Sequence, residues 1–381
     1  MIYKWKEANL LVSLLASALG GEAVTVPQDT DFENLYALAT LQKVEAMICE
    51  GLSKAQGVPR EVLSRFETAY KKEVVAQYIR QAEGNKILNA FEINGIDCMP
   101  LKGWVLQNLY PNPAMRYMCD MDILFKPEQS ADVRRVLEAL EYLPTELGGN
   151  PEVYQKKPIM NIEMHKAIVR DDTGHFDTNW ERAVPVKNCA HTFAMTNEDC
   201  YIYMIAHLYK HFIGGGTGVR SVCDVELFLR NYEAALDWDY IDSRLENSGF
   251  LTFERQVKAL CRLWFHAGEA DEALVAFSKK MLFSGVFGTA EIAAENAAKH
   301  AVQAMPGKSV KSKKLFYYLT LLFPALSVMR DIYPVLKKLP VLLPVFWLVR
   351  GVQLLFGSHK GAKKIRAQTG AVSQADIDKD F

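Results

Sequence analysis

The sequence is short of the features that most readily betray a function. Its seven cysteines (Cys49, Cys98, Cys119, Cys189, Cys200, Cys223, Cys261) are odd in number, widely spaced and without a C-x-x-C pair, so neither a disulfide framework nor a zinc ribbon is indicated. A reducing cytoplasm fits that usage. Long apolar runs are missing too. Near the C-terminus the longest uncharged stretch, Leu339 to Val349, has 11 residues and two prolines, and the run from Leu315 to Met329 is also short of the roughly 20 residues a membrane span needs. "GGGTG" (214–218) fits neither the Walker nor the dinucleotide pattern and reads as an interhelical loop. "HLYKH" (207–211) puts His207 and His211 one helical turn apart, half of a zinc site, but it lacks the glutamate of H-E-x-x-H, and packing is the more frequent role of such histidines. No internal repeat or long low-complexity stretch is present.

What remains is an ordinary globular composition. With 381 residues, 50% hydrophobic and 23% charged, the chain can bury substantial cores and is expected to form two or three domains. The N-terminal "MIYKWKEANLLVSLLASALGG" has an apolar middle, but Leu11, Leu14, Leu15 and Leu19 fall at helical spacing, which favours a packed amphipathic helix over a secretory segment. Residues 1–95 read as a helical region whose last long helix stops at Asn94-Gly95. From 96 to 195 the pattern changes to short strands and turns: "DCMPLKG", then "GWVLQNLY" as a helix, "DMDILF" as a strand closed by Lys126-Pro127, an amphipathic helix over 128–143, and "NIEMHKAIV" as a strand. Residues 196–300 are helical again. The tail, 301–381, is a separate electrostatic object: from Ala301 to Arg366 twelve Lys or Arg face Asp331 alone, giving +11 against −12 for the remainder. Packing of this tail on the helical domain is preferred, with peripheral contact to an anionic membrane surface as the second reading. The acidic remainder argues against a nucleic-acid partner.

"RYMCDMDILF" (116–125) carries the chemistry. Acids are depleted from strands, yet Asp120 and Asp122 sit two apart in one, so both carboxylates project to the same face. Like charges that close repel unless a cation lies between them, and hard oxygen ligands favour Mg²⁺ or Mn²⁺. The bland alternative is one turn-capping and one solvated aspartate. Context favours the metal. Gly103 permits a tight strand-to-helix turn whose N–H groups, with Lys102 and Arg116, could hold phosphate oxygens. Glu163 would complete the acidic cluster from a neighbouring strand. His165 shares its face, either orienting Glu163 or substrate or acting as a satisfied strand histidine. Three acids, a phosphate-binding turn and two cations are what two-metal phosphoryl or nucleotidyl transfer needs.

"LKGWVLQNLYPNPAMRYMCDMDILF" followed by "IEMH" resembles the uncharacterised nucleotidyltransferase family of the DNA polymerase β-like superfamily, which shares Lys-Gly, then Arg, then D-x-D-x-L, then an acid-x-His strand. The resemblance is densest from Leu101 to His165, continues through 207–229 and extends weakly to 322–334. It departs from the superfamily where Gly103 is followed by Trp104 rather than Ser or Gly. The resemblance implies an α+β fold, a small mixed β-sheet nucleotidyltransferase core flanked by N-terminal and C-terminal helical regions. It implies Asp120, Asp122 and Glu163 as catalytic metal ligands, Lys102, Gly103 and Arg116 as nucleotide-side residues, and His165, His207, Arg220 and Asp224 on the acceptor side. The expected activity is transfer of NMP from an NTP, ATP first, to a hydroxyl of a small molecule or protein, with Mg²⁺ or Mn²⁺ and release of pyrophosphate. The alternatives are a non-catalytic nucleotide- or partner-binding module, and a membrane-associated transferase in glycan or polysaccharide assembly.

Overall fold

The computed structural model describes residues 5–168, 180–266 and 268–285, together with 323, 326, 329, 333–337 and 339–356. Most of the basic tail, including Lys311, Lys313 and Lys314, lies outside the described residues. The chain divides into two compact units, one of Met1–Tyr209 with Gly218–Val286 and one of Lys210–Thr217 with Phe287–Phe381.

The first unit opens with helices α1 (Lys6–Ala18), α2 (Phe32–Gln42) and α3 (Glu45–Lys54), followed by α4 (Arg60–Ile93). The leucine spacing of the N-terminus makes a packed helix as expected, because Leu11, Leu14, Leu15 and Leu19 are all buried. Helix α4 runs 34 residues with Gly84 as its one glycine and no proline. It ends where the sequence says it should: Gly95 takes φ +68° and the Ile96 N–H returns to the Phe91 carbonyl at 2.9 Å. Its buried residues, Phe66, Gln77, Arg80, Gly84, Ile87 and Phe91, recur at intervals compatible with one helical face. That face changes character along its length, apolar beneath the sheet and polar one to two turns earlier.

The sheet has five strands in the order β1-β2-β5-β4-β3, with β1 Cys98–Pro100, β2 Met121–Phe125, β3 Leu143–Glu146, β4 Glu152–Lys156 and β5 Met160–His165. It is mixed: β2 and β5 pair in parallel, the other neighbours antiparallel. Short helix α5 (Gly103–Leu106) follows β1, and α6 (Ser130–Ala139) follows β2. Alternation sends Met121, Ile123 and Phe125, with Ile162 and Met164, into a core completed by Ile87 and Phe91 of α4 and Val133, Val136 and Leu137 of α6. At about 25 cal/mol per Å² of apolar surface, each such side chain contributes roughly 1.5–3 kcal/mol, so this face fixes the register of the strands that carry the acids. Glu83 of α4 clamps the far side, bonding Lys86 at 2.6 Å, Lys156 of β4 at 2.9 Å and the Tyr142 hydroxyl at 3.2 Å. On the opposite face Leu124 packs with Met99, Leu101 and Tyr203.

A two-stranded ribbon, β6 (Val184–Pro185) and β7 (Phe193–Ala194), precedes helices α7 (Asn197–Gly214), α8 (Val219–Tyr232), α9 (Trp238–Asn247), α10 (Leu251–Phe265) and α11 (Glu272–Phe283). Asp31, Asp237 and Asp271 cap α2, α9 and α11 by accepting backbone N–H bonds. In the second unit Tyr333 packs on Phe346 of a helix at Leu343–Phe356, ring centroids 4.7 Å apart. No helix among the described residues is long and apolar enough to cross a membrane.

Candidate active site

The face of the sheet opposite α4 carries the titratable cluster. Parallel pairing sets Asp122 directly beside Glu163, and Leu124 beside His165. One ligand atom each from Asp122, Glu163 and His165 lies within 4.8 Å of the others. His165 Nε2 is 2.7 Å from Asp122 Oδ1 and 3.5 Å from Glu163 Oε2. Lys102 donates to the same Asp122 oxygen at 2.8 Å. Asp120 precedes β2 by one residue and stands outside the group of three, though its carboxyl feels both Asp122 and Glu163.

The two aspartates are driven in opposite directions. Burial would raise the Asp122 carboxyl, but the Lys102 and His165 charges and hydrogen bonds outweigh it and hold the group well below the usual carboxylate range. Asp120 is pushed up, first by burial, then by the negative charges of Asp122 and Glu163, with Lys102 offsetting only part. Burial alone would lower His165; its bonds to Asp122 and Glu163 raise it instead.

The turn that delivers Lys102 differs from the sequence expectation. The left-handed residue is Lys102 itself, at φ +44° and ψ −117°, a conformation that suits glycine and costs a lysine on the order of 1–3 kcal/mol. Gly103 answers to space rather than backbone freedom: a Cβ there would lie 2.6 Å from Arg116 Nη1 and 2.8 Å from Met118 Sδ. The helix it opens is a single turn, with the Val105 and Leu106 N–H groups both bonded to the Lys102 carbonyl.

Arg116 and Asp224, expected on the nucleotide and acceptor sides, are brought together. Arg116 Nε and Nη2 reach Asp224 Oδ1 and Oδ2, each at 2.7 Å, and the Tyr110 hydroxyl donates to Oδ1 at 2.7 Å. This buried bidentate pair ties the segment before β2 to α8. Arg220, one turn earlier on α8, bonds the Tyr117 carbonyl at 2.7 Å through Nη1. The His207 ring lies 5.9 Å from that of Tyr203.

Sequence reasoning passed over Tyr203 at this cluster and three further residues grouped at Tyr117. Tyr203 is buried, its hydroxyl has no hydrogen-bond partner among the described residues, and Asp122, Glu163 and Asp120 all act on it electrostatically. Lys43, Arg80 and Tyr117 gather with Arg220 on the α4 side. The available signal for Tyr203 was its i,i+4 spacing from His207; the other three come from separate elements and carry no local signature.

The family described as uncharacterised nucleotidyltransferase matches residues 28–266. No curated protein matches the sequence. A solved structure, the solution structure of the antibiotic-resistance factor ANT(2'')-Ia, is similar at 12% identity, covering 45% of this chain and 92% of that chain with a TM-score of 0.34, a level that carries no argument. The family match spans well over half of the chain and contains the turn, both aspartates, Glu163 and His165, so the chain belongs to the uncharacterised nucleotidyltransferase family.

Proposed function

We propose that the protein is a metal-dependent nucleotidyltransferase that moves NMP from an NTP, ATP in the first instance, to a hydroxyl of a small molecule or protein. The observation that carries this reading is the Asp122–Glu163–His165 cluster, two carboxylates and an imidazole converging from adjacent parallel strands. The donor set suits a hard divalent ion, Mg²⁺ or Mn²⁺, the imidazole tilting it toward Mn²⁺. Asp122, Glu163 and His165 would hold that ion with Asp120 beside them, and when bound it would neutralise charge developing on the phosphoryl oxygens. Glu163, the more exposed carboxylate, would take the acceptor's hydroxyl proton. The acceptor oxygen then forms its bond to the α-phosphorus, the α–β phosphoanhydride bond breaks, and pyrophosphate leaves with the bonding pair. Lys102, fixed on Asp122, supplies positive charge beside the reacting phosphoryl group.

The test is pyrophosphate release from NTP with Mg²⁺ or Mn²⁺ across an acceptor panel. Asp122→Asn should lower kcat/KM by at least about a hundredfold while circular dichroism stays unchanged. Unimpaired metal-dependent transfer by Asp122→Asn overturns the assignment. One observation favours a second reading, a nucleotide-binding module without turnover: Lys102 and His165 both bond the same Asp122 oxygen and compensate its charge from within the protein. Metal-dependent NTP binding without pyrophosphate release on any acceptor would select it. A cytoplasmic setting is part of the proposal, with peripheral membrane contact by the basic tail kept as an alternative.

A further inference from the structure

The segment that leads into β2 is gripped from α8, outside the sheet. Arg116 and Asp224 are each 6% exposed, and the two bonds between them, both 2.7 Å, form a fork to which the Tyr110 hydroxyl adds a third bond at 2.7 Å. The next residue is held by the same helix, since Arg220 Nη1 donates to the Tyr117 carbonyl at 2.7 Å. Met118 is buried just beyond, and Asp120 stands four residues after Arg116.

This grip bears on the turn that carries Lys102. The fork uses Arg116 Nε and Nη2; the remaining nitrogen, Nη1, fills the space beside Gly103, 2.6 Å from where a Cβ would stand, and Met118 Sδ lies 2.8 Å from the same point. On its other side the turn is joined to β2 by the Leu101 N–H, which donates to the Asp122 carbonyl at 2.9 Å. Arg116 is therefore wedged between α8 and the Lys102–Gly103 turn, with Asp224 setting the direction of its guanidinium.

Cohesion alone does not call for charges here. Desolvating two ions cancels much of their attraction, and apolar side chains of similar volume commonly close such a gap as well. Direction is what the fork adds, because two parallel N–H···O bonds fix the guanidinium plane where apolar packing leaves side chains free to slide. That plane is the one that abuts Gly103.

We propose that Asp224 is a positioning residue of nucleotidyl transfer, acting through Arg116 to hold the Lys102 turn and the Asp120 segment in place beside Asp122 and Glu163. In this assignment neither Arg116 nor Asp224 touches nucleotide or acceptor. The reaction served rests on the nucleotidyl-transfer reading; the clamp rests on the contacts above.

Hydrogen exchange of the full chain, read by mass spectrometry without nucleotide, tests the clamp apart from turnover. The Val105 and Leu106 amides report the turn because both bond the Lys102 carbonyl. Tyr110→Phe, which keeps the ion pair, should speed exchange in residues 101–109 and 116–120 by about threefold, and Asp224→Asn by about tenfold or more, with residues 143–156 unchanged. No acceleration in either variant, or equal acceleration along the whole chain, overturns the clamp. Turnover tests the positioning. Arg116→Lys keeps the charge and loses the fork, so kcat should fall by at least about tenfold with KM for NTP within about threefold. Adding Asp224→Asn should lower kcat no further than the worse single variant, since the aspartate works only through the arginine. A raised KM with unchanged kcat puts Arg116 on the nucleotide, and additive losses separate the two residues; either result overturns the proposal. A wild type without transfer to any acceptor removes the reaction from the assignment, and the exchange measurement then decides the clamp alone.

Discussion

Asp122 accepts from a lysine and a histidine on one oxygen, and that crowding sets what its neighbours can do. In the proposed reaction the hydroxyl proton goes to Glu163, since Asp122 is already compensated by Lys102 and His165. Glu163→Gln should therefore lower kcat by at least about a hundredfold with NTP affinity changed less than about threefold, since the lost interaction strengthens as the nucleophile deprotonates. Single-turnover rates beside equilibrium NTP binding check this, and equal losses in both remove Glu163 from the proton-accepting role. His165 gives the pH dependence. Its pKa is raised, so below that value the ring carries a proton shared between Asp122 and Glu163, and a metal must displace it. Mn²⁺ affinity should rise with pH through the His165 titration and level off above it; affinity that stays flat between about pH 6 and 8.5 takes the imidazole out of the donor set. In the metal-free protein the same shift works the other way. Its stabilisation is complete below the unfolded value and disappears as pH rises through the folded one.

At the scale of elements, the contact of α4 with the α5 turn is the tightest constraint on the site. A Cβ at Gly84 would overlap the Trp104 ring, and Trp104 follows directly on the Lys102–Gly103 turn. Alanine gains about 1 kcal/mol in helix propensity there, but overpacking costs about 1–3 kcal/mol or more, so Gly84→Ala should destabilise and also reduce transfer by displacing the turn. Urea unfolding and activity at one substrate concentration decide it; unchanged values mean Trp104 moves aside freely. This contact was invisible in the sequence, where Gly84 is an isolated glycine inside a helical pattern. Long periodic segments were legible: α4 with its stop at Asn94-Gly95, α6, β5 and the helices after residue 196. Strand alternation is local, so the face that Asp122 takes was legible, but Asp120 lies one residue before β2 and outside the group of three. "GWVLQNLY" keeps only one α-turn, Gly103–Leu106, before a 3₁₀ turn at Gln107–Leu109, because the chain bends to bring Gln107 to Gln77 at 2.7 Å. The β3–β4 hairpin was not legible. β3 is a polar edge strand containing Pro144, so it shows neither apolar alternation nor the residues strands prefer. Nor was the Arg116–Asp224 pair, whose members lie 108 residues apart.

For the molecule as a whole, acid is the informative perturbation. Glu83 is brought down to about 2: burial, the largest influence, would raise it, but Lys86 and Lys156 prevail. Glu92, accepting from the Ala190 and His191 N–H groups and the Thr192 hydroxyl, is also lowered, as are Asp97 beside Lys126 and His191, and Asp122. A carboxylate whose folded pKa is depressed contributes stability above its unfolded value that is lost as pH falls through the folded one, so the relevant window is about pH 4.5 down to 2. Asp120, Glu73 and Glu254, raised chiefly by burial, act in the opposite sense and trim the loss. The unfolding free energy at pH 3 should lie below that at pH 7 by about 2 kcal/mol or more after discounting the partly exposed groups, read from denaturant midpoints; equal midpoints would show these pairs to be idle. The other molecule-wide consequence comes from α4. Its 34 residues form a continuous helix of about 51 Å, with Arg80 and Phe91 eleven residues, very nearly three whole turns, apart. The two positions are locked in phase, like keys cut on one shaft. A one-residue insertion between them would rotate Glu73, Gln77 and Arg80 by about 100° against the sheet, whereas an insertion of eleven would restore their bearing though not their distance. Lineages that lengthen or shorten this helix can therefore keep both faces aligned only in steps of whole turns.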